Sequence, residues 1–218
     1  MTLGPIRCAM LLAALAAAWQ PSKASATEED TQFWLNTFVT GPIGKTTTLT
    51  VDATQRWRSD RVGPDQQTIR VLIDEQVARR ARIGGAVMLF DTDGLTEVRL
   101  HQQAVFSLGR IDARTRVEER FFDGADRMEV RLRQRFTYNQ PIAEKWRATA
   151  GVEWLGIMRS RNRGEGASTE QWRFQTSVVH SLDKRFDVAA LYWMVAFPRG
   201  DRPARVSHIP QVAFTVRF

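Results

Sequence analysis

In 218 residues, 31 Lys and Arg stand against 24 Asp and Glu, a net charge of +7. A surplus of that sign usually points to nucleic acid or an anionic surface. Here the arginines recur at every second residue inside strand-like runs, a pattern that argues against a nucleic-acid partner. Three histidines and one cysteine, with the carboxylates interleaved by arginine, offer no metal-ligand spacing and imply no metal and no cofactor.

The chain opens on Arg7, an apolar run Cys8–Trp19, and Ala24-Ser25-Ala26 ahead of the acidic Thr27-Glu28-Glu29-Asp30. A basic start, a short apolar core and an A-x-A site predict a secretory signal peptide over residues 1–26. The apolar run is too short to span a bilayer as a helix, which takes about 20 residues. Cleavage after Ala26 would remove the sole cysteine, Cys8, and leave a 192-residue domain, 27–218, of net charge +5. That is a size for one domain, and a chain without thiols suits an oxidising periplasm.

Strand-like runs then follow one another. Phe33–Val39 leads to a turn at Gly41-Pro42-Ile43-Gly44-Lys45. In Thr46–Ser59, Leu49, Val51, Ala53 and Trp57 oppose Thr48, Thr50, Asp52, Thr54, Arg56 and Arg58. Thr68–Val77 sets Ile69, Val71, Ile73 and Val77 against Arg70, Leu72, Asp74 and Gln76. Ile83–Phe90 is apolar on both parities, and Asp91-Thr92-Asp93-Gly94 turns into Thr96–Leu108, where Glu97, Arg99, His101 and Gln103 share a face.

The best-phased stretch runs from Ile111 to Phe136. Asp112, Arg114, Arg116, Glu118 and Arg120 alternate with apolar partners, and Arg127, Glu129, Arg131, Arg133 and Arg135 do the same beyond the turn Asp123-Gly124-Ala125-Asp126. Period-two alternation about a Gly-containing turn predicts a hairpin with unlike faces. Its register sets Arg120 opposite Glu129, Glu118 opposite Arg131, and Arg116 opposite Arg133. Opposed charges contribute roughly 0.2–1 kcal/mol per pair. The Arg116–Arg133 pair instead requires a carboxylate from another strand, or an anion, between them.

Trp146–Met158 carries Arg147 and Glu153 on its polar face, a polar segment Arg159–Thr169 follows, and Gln171–Val179 carries Arg173. Arg185–Phe197 and Arg205–Phe218 complete the chain. About eleven runs of roughly 10–14 residues result, with no sustained helical period after the signal. Strands of soluble sandwiches are nearer 5–6 residues, whereas transmembrane strands need about 9–11 and alternate apolar-out with polar-in. Aromatics near strand ends, including Trp34, Trp57, Trp146, Trp172 and Trp193, fit interfacial girdles. The expected fold is an all-β, transmembrane, antiparallel up-and-down barrel of 10–12 strands in the bacterial outer membrane, reached by Sec-type export. The C-terminal alternation of Phe214, Val216 and Phe218 resembles the signal by which barrel-assembly machinery recognises such proteins for insertion. Counting back from a periplasmic C-terminus leaves an odd number of strands, where single-chain bacterial barrels normally have an even one. A missed strand, a surplus one, or an N-terminal segment threading the lumen would restore parity.

The sequence Glu97-Val-Arg99-Leu-His101-Gln102-Gln103, then Arg114-Thr-Arg116-Val-Glu118-Glu119-Arg120, then Arg131, Arg133 and Arg135, together with the Trp34 region, resembles a bacterial family catalogued as domain of unknown function 2490. The resemblance covers nearly all of the mature chain. It implies an outer-membrane barrel and brings no established activity.

The expected lumen network is Arg99, His101, Arg114, Arg116, Glu118, Arg120, Glu129, Arg131, Arg133, Arg135, Arg147, Glu153 and Arg173, with Glu118 holding Arg116, Arg120, Arg131 and Arg133. Two readings of that lumen stand open: a structural barrel plugged by its own ion pairs, or a narrow passive channel for small anionic solutes. An outer-membrane lipid-modifying hydrolase needs a nucleophile beside an oriented base. Phase separates His101, His180 and His208 from serine partners, so no catalytic residue is expected. A soluble periplasmic barrel binding an acidic ligand is the other alternative. Expected partners are outer-membrane lipids, including lipopolysaccharide phosphates at Arg159, Arg161 and Arg163.

Overall fold

The computed structural model describes residues 27–92 and 95–218. The signal-peptide assignment and the Asp93-Gly94 corner of a predicted turn lie outside them. The elements are strands: β1 (Glu28–Thr31), β2 (Phe33–Pro42), β3 (Thr47–Trp57), β4 (Gln66–Ala78), β5 (Ala81–Thr92), β6 (Leu95–Leu108), β7 (Ile111–Phe122), β8 (Glu129–Ala143), β9 (Trp146–Arg159), β10 (Ser168–Ser181), β11 (Phe186–Arg199) and β12 (Arg202–Arg217). From β2 to β12 each strand pairs antiparallel with the next.

The sheet closes where β12 pairs with β2. That seam is parallel, with Gln211 beside Trp34 and Arg217 beside Thr40. β1 continues the same line, pairing Glu28 with Arg205 and Thr31 with His208, and the Gln32 amide between the two segments donates to the His208 carbonyl at 3.0 Å. β1 and β2 therefore fill one strand position, and the barrel has eleven. None of the three routes to an even number is taken. A parallel first–last pair lets an odd number of strands close without an unpaired edge, which is what a barrel must avoid.

Strand ends differ from the sequence-based limits by one to three residues at most points. The exception is β8, whose expected run ends at Phe136 and which continues as strand to Ala143. The two rims are unlike. At one, the connections are 43–46, 79–80, 109–110, 144–145 and 182–185; at the other they include 58–65, 123–128 and 160–167.

The two faces invert the usual arrangement of a soluble protein. Ile69, Val71, Ile73, Val87, Leu89, Phe136, Trp172, Phe174, Val178 and Phe214 are exposed on the outside. Asp52, Thr54, Arg99, Arg116, Glu118, Arg131, Glu153, Gln171 and Gln175 are buried within. The period-two pattern dictates this, since successive side chains point to opposite faces of a strand. Two aromatics assigned to the girdle on sequence grounds, Trp34 and Trp193, instead point inward. They pack together with Val195 and Ile209 as an apolar cluster on the β2, β11 and β12 wall.

Candidate functional site

The interior has two unlike walls. Strands β6 to β10 present a continuous ion-pair network. Its register follows the hairpin expected from sequence: Glu118 lies opposite Arg131, Arg120 opposite Glu129, Arg116 opposite Arg133, and His101 opposite Glu118 on the other side.

Glu118 is fully buried. It accepts hydrogen bonds from Arg131 Nε at 2.7 Å, from Arg131 Nη2, and from Arg133 Nη1 at 2.7 Å. Arg116 Nη1 and His101 Nε2 each stand 3.7 Å away. The Arg116–Arg133 repulsion is therefore relieved by Glu118 from the same sheet, and by Gln103 Oε1, which accepts from Arg116 at 2.7 and 3.2 Å. Gln103 in turn donates to Asp74 at 2.8 Å. That carboxylate crosses the backbone of Gly84, where an added Cβ would stand 2.0 Å from it.

Arg120 does not join Glu118 as expected. It forks onto Glu97 at 2.6 and 3.1 Å and reaches Glu129 at 2.5 Å. Arg99 also forks onto Glu97. On the far side Glu153 receives Arg133 at 2.9 and 3.0 Å, Arg114 at 2.7 Å, and Arg173 at 3.9 Å. Bidentate guanidinium–carboxylate contacts of this kind are the strong class of ion pair.

Glu170 was missing from the sequence-based set, and it joins the two halves. It accepts from Arg131 at 2.7 Å and lies 3.5 Å from Arg120. By alternation it would face outward, because Gln171, Arg173 and Gln175 face inward. The register shifts between Thr169 and Gln171, and that β-bulge re-aims the side chain. An acid before a well-phased inward run is the only trace the sequence carries. Arg135 and Arg147 complete the expected set without a carboxylate: Arg135 donates to Thr137 at 3.1 Å and to Gln175, and Arg147 lines the interior near the rim of short turns.

The opposite wall is aromatic. Trp34 and Trp193 lie 6.3 Å apart, and Phe90 of β5 is buried beside Arg56 and Arg99. Between the walls runs a cavity of about 560 Å³. Its lining reaches from Gln32, Arg58 and Phe197 near the long-loop rim to Arg147, Asp187 and Thr215 towards the other. Among the described residues, thirteen arginines and three carboxylates line it. Most of the acids stand behind their arginines, so the guanidiniums face the open space.

At the long-loop rim, segment 160–167 is tied down. Arg127 donates to the Ser160 carbonyl at 2.8 Å and the Asn162 carbonyl at 3.2 Å. The Ser160 hydroxyl and the Asn162 amide donate to Glu165 and hold its carboxyl below the usual carboxylate range. Arg161 stacks 4.3 Å over Phe122, and Arg159 donates to the Met128 carbonyl at 3.2 Å. Of the three arginines expected to meet lipid phosphates, Arg159 and Arg163 are exposed, and Arg163 makes no such contact among the described residues.

The histidines stand apart. Neither ring nitrogen of His101 makes a hydrogen bond, His180 stacks on Trp146 at 4.2 Å, and His208 bonds the Tyr192 hydroxyl at 2.5 Å. None of these contacts is to a serine. Among the described residues no group of three or more His, Cys, Asp or Glu is arranged to hold a metal ion.

A family model described as a protein of unknown function, DUF2490, matches residues 31–204, the span that carries the charged wall, the bulge and the β2 side of the seam. No curated protein matches the chain.

Proposed function

The chain belongs to the DUF2490 family, and from that premise we propose that it is an integral outer-membrane barrel whose interior is a narrow passive path for small anions. The carrying observation is the cavity lining, thirteen arginines to three carboxylates. Rings of arginine and lysine favour anions in pores. Eleven strands fall between the eight that fill with side chains and the 16–18 that leave a wide aqueous channel, which suits a partly filled, narrow passage.

The apolar exterior supports the membrane placement, since monomeric soluble proteins rarely expose continuous apolar surface beyond a few hundred Å². The signal-like N-terminus and the Phe214, Val216, Phe218 alternation support Sec-type export and insertion by barrel-assembly machinery. The long-loop rim, with Arg163 exposed, would then face lipopolysaccharide.

Purified from membranes with detergent, the protein should migrate faster on gels unboiled than boiled. A protein released from the periplasm without detergent ends the membrane reading. In a planar bilayer under a potassium chloride gradient, the reversal potential should lie on the chloride side. Stable incorporation with no conductance would leave a structural barrel, plugged by its own ion pairs.

A further inference from the structure

Four of the thirteen cavity arginines have no carboxylate within ion-pair distance among the described residues. Arg58 and Arg147 lie towards the two rims, whereas Arg56 and Arg135 lie within, and both are placed by tryptophan. The Arg56 guanidinium sits 4.3 Å over the Trp34 ring and that of Arg135 5.3 Å over Trp193, with the two indoles 6.3 Å apart. The polar edges of the rings are already engaged. Trp34 Nε1 donates to Gln32 at 3.2 Å and Trp193 Nε1 to Gln211 at 2.5 Å, so the surface they offer the cavity is apolar. Arg56 Nε is buried with no hydrogen-bond partner, and its Nη1 reaches Gln66 only at 3.5 Å.

The other nine cavity arginines each have a carboxylate within ion-pair distance, so Arg56 and Arg135, unpaired in the interior, are exceptions. A guanidinium held out of bulk water without an anion is costly, and contact with a ring offsets only part of that cost. We propose that the series Arg56, Trp34, Trp193, Arg135 is a binding site for small organic carboxylates with a flat apolar body. The carboxylate would take the free hydrogen-bonding edge of a guanidinium, and the body would lie against the indoles. The cavity of about 560 Å³ falls in the size range of ligand pockets, roughly 300–1,000 Å³. The inference deepens the reading of the interior as an anion path and rests on that path being open to solute.

The test uses the folded mature barrel in detergent, with benzoate, acetate and phosphate as probes, by calorimetry and tryptophan fluorescence. Benzoate should bind at least about tenfold more tightly than acetate or phosphate, the difference expected from burying a ring that the other two lack. Arg56→Gln with Arg135→Gln should weaken benzoate by about tenfold or more, as expected when charge-assisted bonds are lost. Trp193→Leu should remove the preference over acetate. Equal binding of all three probes overturns the proposal, as does benzoate affinity unmoved in the double variant. If a variant does not fold, judged by its unboiled gel mobility, the three-probe comparison on the unaltered barrel decides alone. Benzoate binding without conductance would sink the path and leave the site. Anion-selective conductance without benzoate preference would do the reverse.

Discussion

Glu118→Gln should lower the unfolding free energy of the barrel by about 3–5 kcal/mol, the range for breaking a buried ion pair by removing one partner. Glu119→Gln, one residue along, should change it by less than about 0.5 kcal/mol, as outward substitutions usually do. The contrast follows from the strand's parity. Glu118 is fully buried, with Arg131 and Arg133 hydrogen-bonded to it and Arg116 at 3.7 Å, whereas Glu119 lies on the outer face opposite Val130 and Leu100. A glutamine cannot neutralise three guanidiniums. Arg131 keeps Glu170 and Arg133 keeps Glu153, but Arg116 would be left with Gln103 alone. Urea titration of the detergent-folded protein, followed by tryptophan fluorescence, measures both variants. Equal tolerance of the two changes would show that the charged wall is not a stabilising network.

Under the proposed outer-membrane placement, deleting Phe218 should reduce the folded barrel recovered from outer membranes severalfold while leaving refolding in detergent close to normal. Within the fold this residue contributes little beyond one backbone hydrogen bond, its amide to the Thr40 carbonyl at 3.2 Å, and such a bond is worth about 0.5–1.5 kcal/mol. Its larger role would lie in recognition by the assembly machinery. Gly41→Leu offers an independent route to the same end. A Cβ there would stand 2.7 Å from the Phe218 carbonyl oxygen and 2.8 Å from its ring, so the terminal residue would have to move. Membrane yield and detergent stability falling together in the deletion would make Phe218 a packing residue and not a signal.

The charged wall was legible in the sequence because charged residues fall at every second position from Asp112 to Arg120 and again from Glu129 to Arg135, with mostly apolar residues between them. Parity there gives the inward face, and a short turn gives the register. Where either cue lapses, so does the reading. β11, from Phe186 to Arg199, carries only Asp187 and Arg199 as charges, so nothing local shows that Trp193 faces inward. Its neighbours do, since it pairs with Gln175 and Ile209. Glu170 was hidden by a bulge, an event that changes parity without changing composition. The choice of Arg120 for Glu97 over Glu118 depends on diagonal side-chain reach to the neighbouring strand, which alternation does not encode. The seam was illegible for another reason: its strands are joined by no turn, and its pairs lie 177 positions apart along the chain.

That seam also separates the two ends of the described chain by the full height of the cylinder. In a barrel closed by an antiparallel pair, first and last residues emerge side by side, and a few added residues could splice them. Here Glu28 stands beside Arg205, close to the β11–β12 hairpin, and Thr40 beside Arg217 at the opposite rim. A circular permutant would need a linker running the length of the wall, either through the cavity or across the apolar exterior. Under the proposed membrane placement, reporter peptides fused at these two ends would be displayed on opposite faces of the lipid sheet, so a single cell could be labelled from both sides through one polypeptide.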